Sequence, residues 1–428
     1  MANEVSHGEG LDVVGIGFGP SNVGLAIAIE EHNEQVAPSE RITARFIEAQ
    51  PKFGWHSGML IPGTTMQISF MKDLVTQRNT RSRYSFASYL AEHDRLVDFI
   101  NYQTFFPTRL EFHDYLKWAA ESVSATVHYG SRAVAVRDTG GMLEVECSGT
   151  GPHRVRARNV VLAGGLQAKL PAHVKPSVRQ FHNHDLLHRL AELPEPTENR
   201  FLVIGAGQSA AEVVEHLHTV YPNAEVHNVF AKYGYIPADD SPYANRIFDP
   251  EAVDVFYDSD IETRQRLLTY HRATNYSCVD LELINELYRR EYAERVSGYR
   301  RLYMRGASEL LSAQESDDGV LAEIEHHPTR SITKLRFDAV VYATGFNPVR
   351  LPDLLGDLVD SELFDGAGPV VGRDYQVETT RPTSGSIYLQ GGTEHTHGLT
   401  SSLLSNIAIR SGEIVESIAS VRAVACTA

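Results

Sequence analysis

The stretch Gly15-Ile16-Gly17-Phe18-Gly19-Pro20-Ser21-Asn22, placed between an apolar run over 11–15 and a helical pattern over 20–31, decides the fold. Gly15 reads as the tight turn out of a strand. Gly17 reads as the point where backbone can approach a pyrophosphate at the helix N-terminus, because unpaired N–H groups and the helix dipole attract anions there. Gly19 falls one place early and Pro20 takes the third position, which a first helical turn tolerates. A returning strand over 45–48 closes on Glu48, whose carboxylate can accept a hydrogen bond from a ribose 2′-hydroxyl. FAD, with its free 2′-OH, fits this unit; the plain alternative is an ordinary glycine-rich turn.

A second strand–loop–helix unit follows the linker LPEPTENR at 193–200. A strand over 201–204 leads into Gly205-Ala206-Gly207-Gln208-Ser209-Ala210, a helix over 209–218 and a returning strand over 225–230. That strand ends Val229-Phe230-Ala231-Lys232, with a cation and no acid. The cation favours a 2′-phosphate, hence NADPH over NADH, against the alternative of a solvated surface lysine. Glu212 reads as a dipole-complementing residue. Two more apolar runs end in glycine, NVVLAGG at 159–165 and DAVVYATG at 338–345. The stretch 241–300 has helical periodicity. The expected architecture is α/β, with two Rossmann-like dinucleotide-binding domains and a small, mostly helical substrate-binding domain. Its expected bounds are 10–195 with 337–420 for FAD, 198–240 with 301–336 for NADPH, and 241–300 for the helical part.

Composition narrows the partners. The 428 residues carry 39 basic and 55 acidic side chains, a surface that repels phosphate backbones and anionic lipids. Nucleic acid and membrane are therefore not expected, whereas a small cation, such as a diamino acid, is not repelled. No apolar run approaches the roughly 20 residues of a membrane span, and the first ten residues lack the regions of a signal peptide. Cys147, Cys278 and Cys426 offer neither metal nor disulfide spacing. A cytoplasmic location is expected. A disulfide reductase would need a redox-active cysteine pair, which is absent.

Beyond the loops, the segments MQISFMKDLVTQRN (66–79), HDRLVDFINYQTFFPTRLEFHDYL (93–116), DDSPYANRIFDP (239–250), NYSCVD (275–280), YATGF (342–346) and HGLTSSLLSNIAIRSGEI (397–414) carry a resemblance over nearly the whole chain. The sequence resembles the siderophore-type L-ornithine N5-monooxygenases, with lysine N6-monooxygenases more distant. The resemblance implies that Gln67 and Lys72 lie beside flavin and substrate, with Lys72 on the substrate carboxylate. It implies that Asn245 and Asn275 hold the substrate, Asn275 also near the nicotinamide ribose, and that Ser405 and Leu403 lie near the substrate amine. Gln67, Lys72, Asn275 and Ser405 form the implied catalytic set. Trp55, His56, Arg109, Thr344, Gly345 and Leu403 join the loop residues Gly15 to Asn22, Glu48, Gly205, Gly207, Gln208, Ser209 and Lys232 around the cofactors. The implied assembly is a homo-oligomer, dimer or tetramer.

The implied chemistry is reduction of FAD by NADPH, capture of O2 at flavin C4a, and transfer of the distal oxygen to the side-chain amine of L-ornithine. A buried zwitterion needs a cation for its carboxylate and neutral oxygens for its ammonium groups, and a lysine with asparagines meets that need. On residues alone, the favoured readings are Lys72 as a surface residue and Asn245 as a turn or cap; the family pattern reverses that preference. L-lysine or a diamine such as putrescine is the nearest rival substrate, since one methylene is a small energetic difference. A Baeyer–Villiger enzyme is disfavoured because RQFHNHDLL at 179–187 lacks that fingerprint's glycine and tryptophan. A non-enzymatic flavoprotein is the rival from another class. His395 with His397, and His182 with His184, read as structural rather than metal-binding, and Ser209 lacks a nucleophile elbow. No metal is expected.

Overall fold

The computed structural model describes residues 10–195, 198–359 and 368–427. Strand Leu11–Ile16 runs parallel to Ala44–Ile47 on one side and Arg154–Leu162 on the other, and Thr126–His128 extends the parallel edge. Arg154–Leu162 serves two neighbours on its far side. Its first half pairs antiparallel with Leu143–Gly149, which pairs in turn with Ser131–Asp138, and its second half pairs parallel with Ser386–Leu389, completing a seven-stranded sheet.

Successive side chains of a strand point to opposite faces. Val13 and Phe46 accordingly enter the core beneath helices Pro20–Gln35 and Ile407–Thr427, while Val14 and Ile47 pack with Leu351 and Leu355 on the other face. Burial on both faces explains the apolar stretches Val13–Val14 and Phe46–Ile47 within these strands. The two helices approach closely at Gly24, where a Cβ would collide with Ile407.

The second sheet is wholly parallel and places its strands in the order Leu302–Arg305, Glu225–Val229, Arg200–Ile204, Ala339–Tyr342, Gln180–His182. This pairing corrects the expected domain bounds: residues 180–182 and 339–342, assigned from sequence to the FAD part, build the second sheet. The cause is buried Asp338, whose carboxylate accepts from the N–H groups of Glu198 and Arg200 and so fastens the start of its strand to Arg200–Ile204. An antiparallel meander of Ser308–Ser316, Gly319–His326 and Ser331–Phe337 precedes that strand. The stretch 241–300 is helical, with Pro250–Tyr257, Ile261–Asn275 and Leu281–Ser297; Asp260 and Asp280 cap the last two.

Candidate active site

Both glycine loops use the same backbone device. Gly17 turns with φ +85°, its N–H donates to Ile47 O at 2.8 Å, and a Cβ there would collide with Ala163 O. Gly205 turns with φ +139°, its N–H donates to Val229 O at 3.0 Å, and a Cβ there would collide with Ala343 O. Gly17–Asn22 therefore corresponds to Gly205–Ala210, and the expected register of the first loop is corrected by two residues. Gly15 is a strand residue whose missing side chain makes room for the Phe46 ring and the Asn22 amide.

Asn22, at the third position of the pattern, is fully buried and faces inward. Its Nδ2 donates to Gly17 O at 2.7 Å and Ile16 O at 3.3 Å, so it braces the turn. Asn228, on the returning strand, also bonds the glycine of its turn, donating to Gly205 O at 3.0 Å, and its second contact is Val203 O at 3.1 Å.

The helices that follow begin at Gly19 and Gly207, with no side-chain cap and no acid in the first turn. Ser85, Thr108 and Asp260, by contrast, cap their own helices. The first N–H groups of a helix lack intrahelical acceptors, so these two uncapped ends suit the pyrophosphate of a dinucleotide. A Cβ on Gly19 would meet nothing within 4 Å, which leaves open space beside the turn for a ligand. Glu48 is buried, accepting from Phe18 N at 2.6 Å and Gln50 N at 2.7 Å. Each carboxylate oxygen retains a second lone pair for a ribose hydroxyl. At the place that matches Glu48 the second unit has Phe230, with no acid, and two residues further on the Lys232 ammonium donates to Ser277 O at 2.8 Å.

Arg109 was expected around the flavin. Its guanidinium is committed instead to a bidentate pair with Glu212, at 2.7 and 2.8 Å, and to Met59 O at 3.0 Å. Glu212, expected to complement the dipole, is this ion-pair partner and also accepts from Gln208 Nε2 at 3.0 Å. Gln208 Oε1 in turn accepts from Asp280 N at 2.8 Å. The network joins the first unit, the second loop and the helical stretch. His56 (φ +50°) lies between the rings of Trp55 and His184. Burial, then the neighbouring His184 and Arg109, pull its pKa down to about 3, so the ring is neutral at ordinary pH.

Lys72 is half-buried, in a turn closed by its N–H on Ser69 O, and none of the ion pairs among the described residues includes it. Neighbouring Asp73, which sequence reading passed over, accepts from the N–H groups of Val75, Thr76 and Phe86 at 2.6–3.0 Å and holds this segment in place. Leu74, Trp55, Ile68, Leu404 and Ile407 share one core, which sets the Lys72 segment beside the C-terminal motif. Ser405 there is buried and Leu403 half-buried. Thr400 Oγ1, Ser401 Oγ and Asn406 Oδ1 are buried without a hydrogen-bond partner, as expected of atoms placed to meet a polar ligand.

Asn245 spends its Nδ2 on Asp240 O at 2.8 Å and Ser241 O at 3.3 Å, the cap-like arrangement, and its turn packs on Leu399–Ser402. The Asn275 side chain lies outside the described residues; the next residue, Tyr276, bonds Glu394 through its hydroxyl. Gln67 is exposed. Thr344 Oγ1 donates to Lys169 O, and Gly345 (φ +82°) gives its carbonyl to Lys169 N at 3.0 Å. The histidines act as braces: His395 reaches Pro369 O, and His397 reaches Arg373 O and stacks on Tyr375. Among the described residues no group of three or more His, Cys, Asp or Glu could hold a metal ion.

Sequence reading also missed Gln390 and Arg410, which close on Ser21 and Asn22 from behind. The available signal was a single arginine inside the apolar pattern SNIAIRSGEI at 405–414.

Residues 9–348 match the family model described as L-lysine 6-monooxygenase/L-ornithine 5-monooxygenase. An L-ornithine N5-monooxygenase of Pseudomonas aeruginosa is 35% identical over 95% of this chain and 93% of its own length. The solved structure of an ornithine N-hydroxylase from Kutzneria sp. 744, described with reduced FAD, NADP+ and L-ornithine, superposes with a TM-score of 0.90. It is 43% identical, covering 97% of this chain and 100% of that one. An L-lysine 6-monooxygenase of Pseudomonas syringae superposes with a TM-score of 0.81 at 30% identity, over 95% of this chain and 99% of that one.

Proposed function

The chain belongs to the L-lysine 6-monooxygenase/L-ornithine 5-monooxygenase family, and on that premise we propose that it hydroxylates the side-chain amine of L-ornithine, using FAD, NADPH and O2. The observation that carries the reading is the pair of uncapped glycine-loop helices, one answered by the Glu48 carboxylate and the other by the Lys232 ammonium. FAD, once reduced by NADPH, supplies the activation of O2.

The chain supplies position, charge and exclusion of water. The first turn after Gly19 holds the FAD pyrophosphate, Glu48 accepts from its ribose, and Gly15, Gly17 and Asn22 shape that turn. The turn after Gly207, with Gln208 and Ser209, holds the NADPH pyrophosphate, and Lys232 meets its 2′-phosphate. Lys72 has a charge without an ion-pair partner among the described residues and binds the substrate carboxylate. The Oδ1 of Asn245, with Asn275, accepts from the α-ammonium, and Ser405 receives a hydrogen bond at the far nitrogen. Gln67, Trp55, His56, Thr344, Gly345 and Leu403 border the flavin, and Arg109 acts on it through Glu212 and the second loop. The enzyme works in the cytoplasm as a homodimer or homotetramer, and its product feeds siderophore or related hydroxamate assembly.

Only an amine that has lost its proton can attack an electrophilic oxygen. A free alkylamine has a pKa near 10.4, so turnover rises with pH above neutral. The test compares NADPH oxidation with hydroxylamine formation for ornithine, lysine and putrescine. Ornithine gives coupled product. Oxidation of NADPH with no hydroxylamine from any of the three overturns the substrate class. Lys72→Ala raises the ornithine KM at least about 30-fold while FAD stays bound; an unchanged KM removes the carboxylate role.

A further inference from the structure

Arg410 heads the largest fully buried side chains among the described residues, at 1% exposure. Its Nη1 donates to Ser401 O at 2.6 Å, its Nε to Gln390 Oε1 at 3.3 Å and its Nη2 to Ser21 Oγ at 3.2 Å. Gln390, also buried, continues the contact by donating to Ser21 O and Asn22 Oδ1, both at 3.3 Å. None of the ion pairs among the described residues includes Arg410. Glu413, one turn further on, gives Oε1 to Arg373 at 2.8 Å. Burial pulls the Arg410 guanidinium below its ordinary pKa, opposed by Tyr375 and Glu413.

A buried guanidinium without a bonded carboxylate is costly unless its charge serves an anion. The helix turn it braces, at Ser21 and Asn22, is the uncapped N-terminus of the first glycine loop. We infer that Arg410 is a positioning residue for the FAD pyrophosphate, orienting Ser21 and lending the first loop a positive charge from the side opposite the ligand. The second loop has an acid, Glu212, in the corresponding helix and no equivalent buried cation behind it among the described residues. The inference rests on the reading that the first loop holds FAD.

The experiment measures FAD affinity, by flavin fluorescence on reconstitution, together with displacement of FAD by ADP. ADP carries the pyrophosphate without the flavin ring. Wild type must first bind FAD, since its failure would overturn the proposed function rather than this inference. Arg410→Gln is expected to raise the FAD Kd at least about 30-fold and to weaken ADP in parallel. Arg410→Lys, which keeps the charge, stays within about fivefold, and Ser21→Ala, which removes only the relay, costs about tenfold. Unchanged FAD and ADP affinity in Arg410→Gln overturns the inference. So does equal impairment in the Lys and Gln variants with an equal fall in the unfolding midpoint of the apoprotein, which marks a packing role alone. Should Arg410→Gln not fold, an unchanged FAD affinity in Ser21→Ala is the overturning result.

Discussion

The two glycine loops share a backbone and differ in charge. Gly17 and Gly205 turn against Ala163 and Ala343, and Asn22 and Asn228 each donate to the carbonyl of that glycine. What separates them lies at the end of the next strand and behind the helix. The first loop meets a carboxylate, Glu48, and a buried cation, Arg410. The second meets an ammonium, Lys232, and a buried acid, Glu212, which holds Arg109 across from the first unit. In the proposed function the shared backbone serves a dinucleotide pyrophosphate at each loop, and the charges select which dinucleotide.

Breaking the shared device has the largest effect. Gly17→Ala forces a side chain into the Ala163 carbonyl at positive φ, and the purified protein is expected to carry no flavin by absorbance; a full yellow complement would refute the correspondence. Altering the charges comes next. Glu48→Gln exchanges a charged acceptor for a neutral one, and a hydrogen bond to a charged group is worth about 1.5–3 kcal/mol. The FAD Kd then rises roughly 10- to 100-fold, with the NADPH KM unchanged. Lys232→Ala raises the NADPH KM up to about fivefold and leaves the NADH KM where it was, as expected of one partly exposed phosphate contact. A parallel rise for both nucleotides would assign Lys232 only to bracing Ser277.

The smallest effect concerns the motif that closes the first unit. Burial, chiefly, pulls the His397 pKa from 6.5 down to about 3, so the folded ring stays neutral where the unfolded ring takes a proton. The stability this contributes is complete above pH 6.5 and is lost as pH falls from there toward 3, at up to about 1.4 kcal/mol per pH unit. Urea midpoints of wild type should drop between pH 7.5 and 5.5, and those of His397→Gln should drop less. Equal slopes would mean His397 is protonated in the fold.

Sequence showed both strand–loop–helix units because each has local period, glycine and returning strand within a few dozen residues. It did not show the register of the first loop, since three alternating glycines fit two frames and only the contact with Ala163 chooses between them. It missed the partner of Ala339–Tyr342, because an apolar strand ending in glycine suits either sheet. The Arg109–Glu212 pair spans 103 residues, and no local pattern announces such a contact. Lys72 and Ser405 entered through family resemblance alone; the structure adds that the Lys72 charge has no ion-pair partner among the described residues and that Ser405 is buried.

The most direct test of the division of labour is anaerobic mixing of Gly205→Ala with NADPH while the flavin band is followed. The expected product is a yellow protein, with FAD held by the untouched first loop, that NADPH bleaches at least about 100-fold more slowly than wild type. A colourless variant, or one bleached at the wild-type rate, would contradict that division.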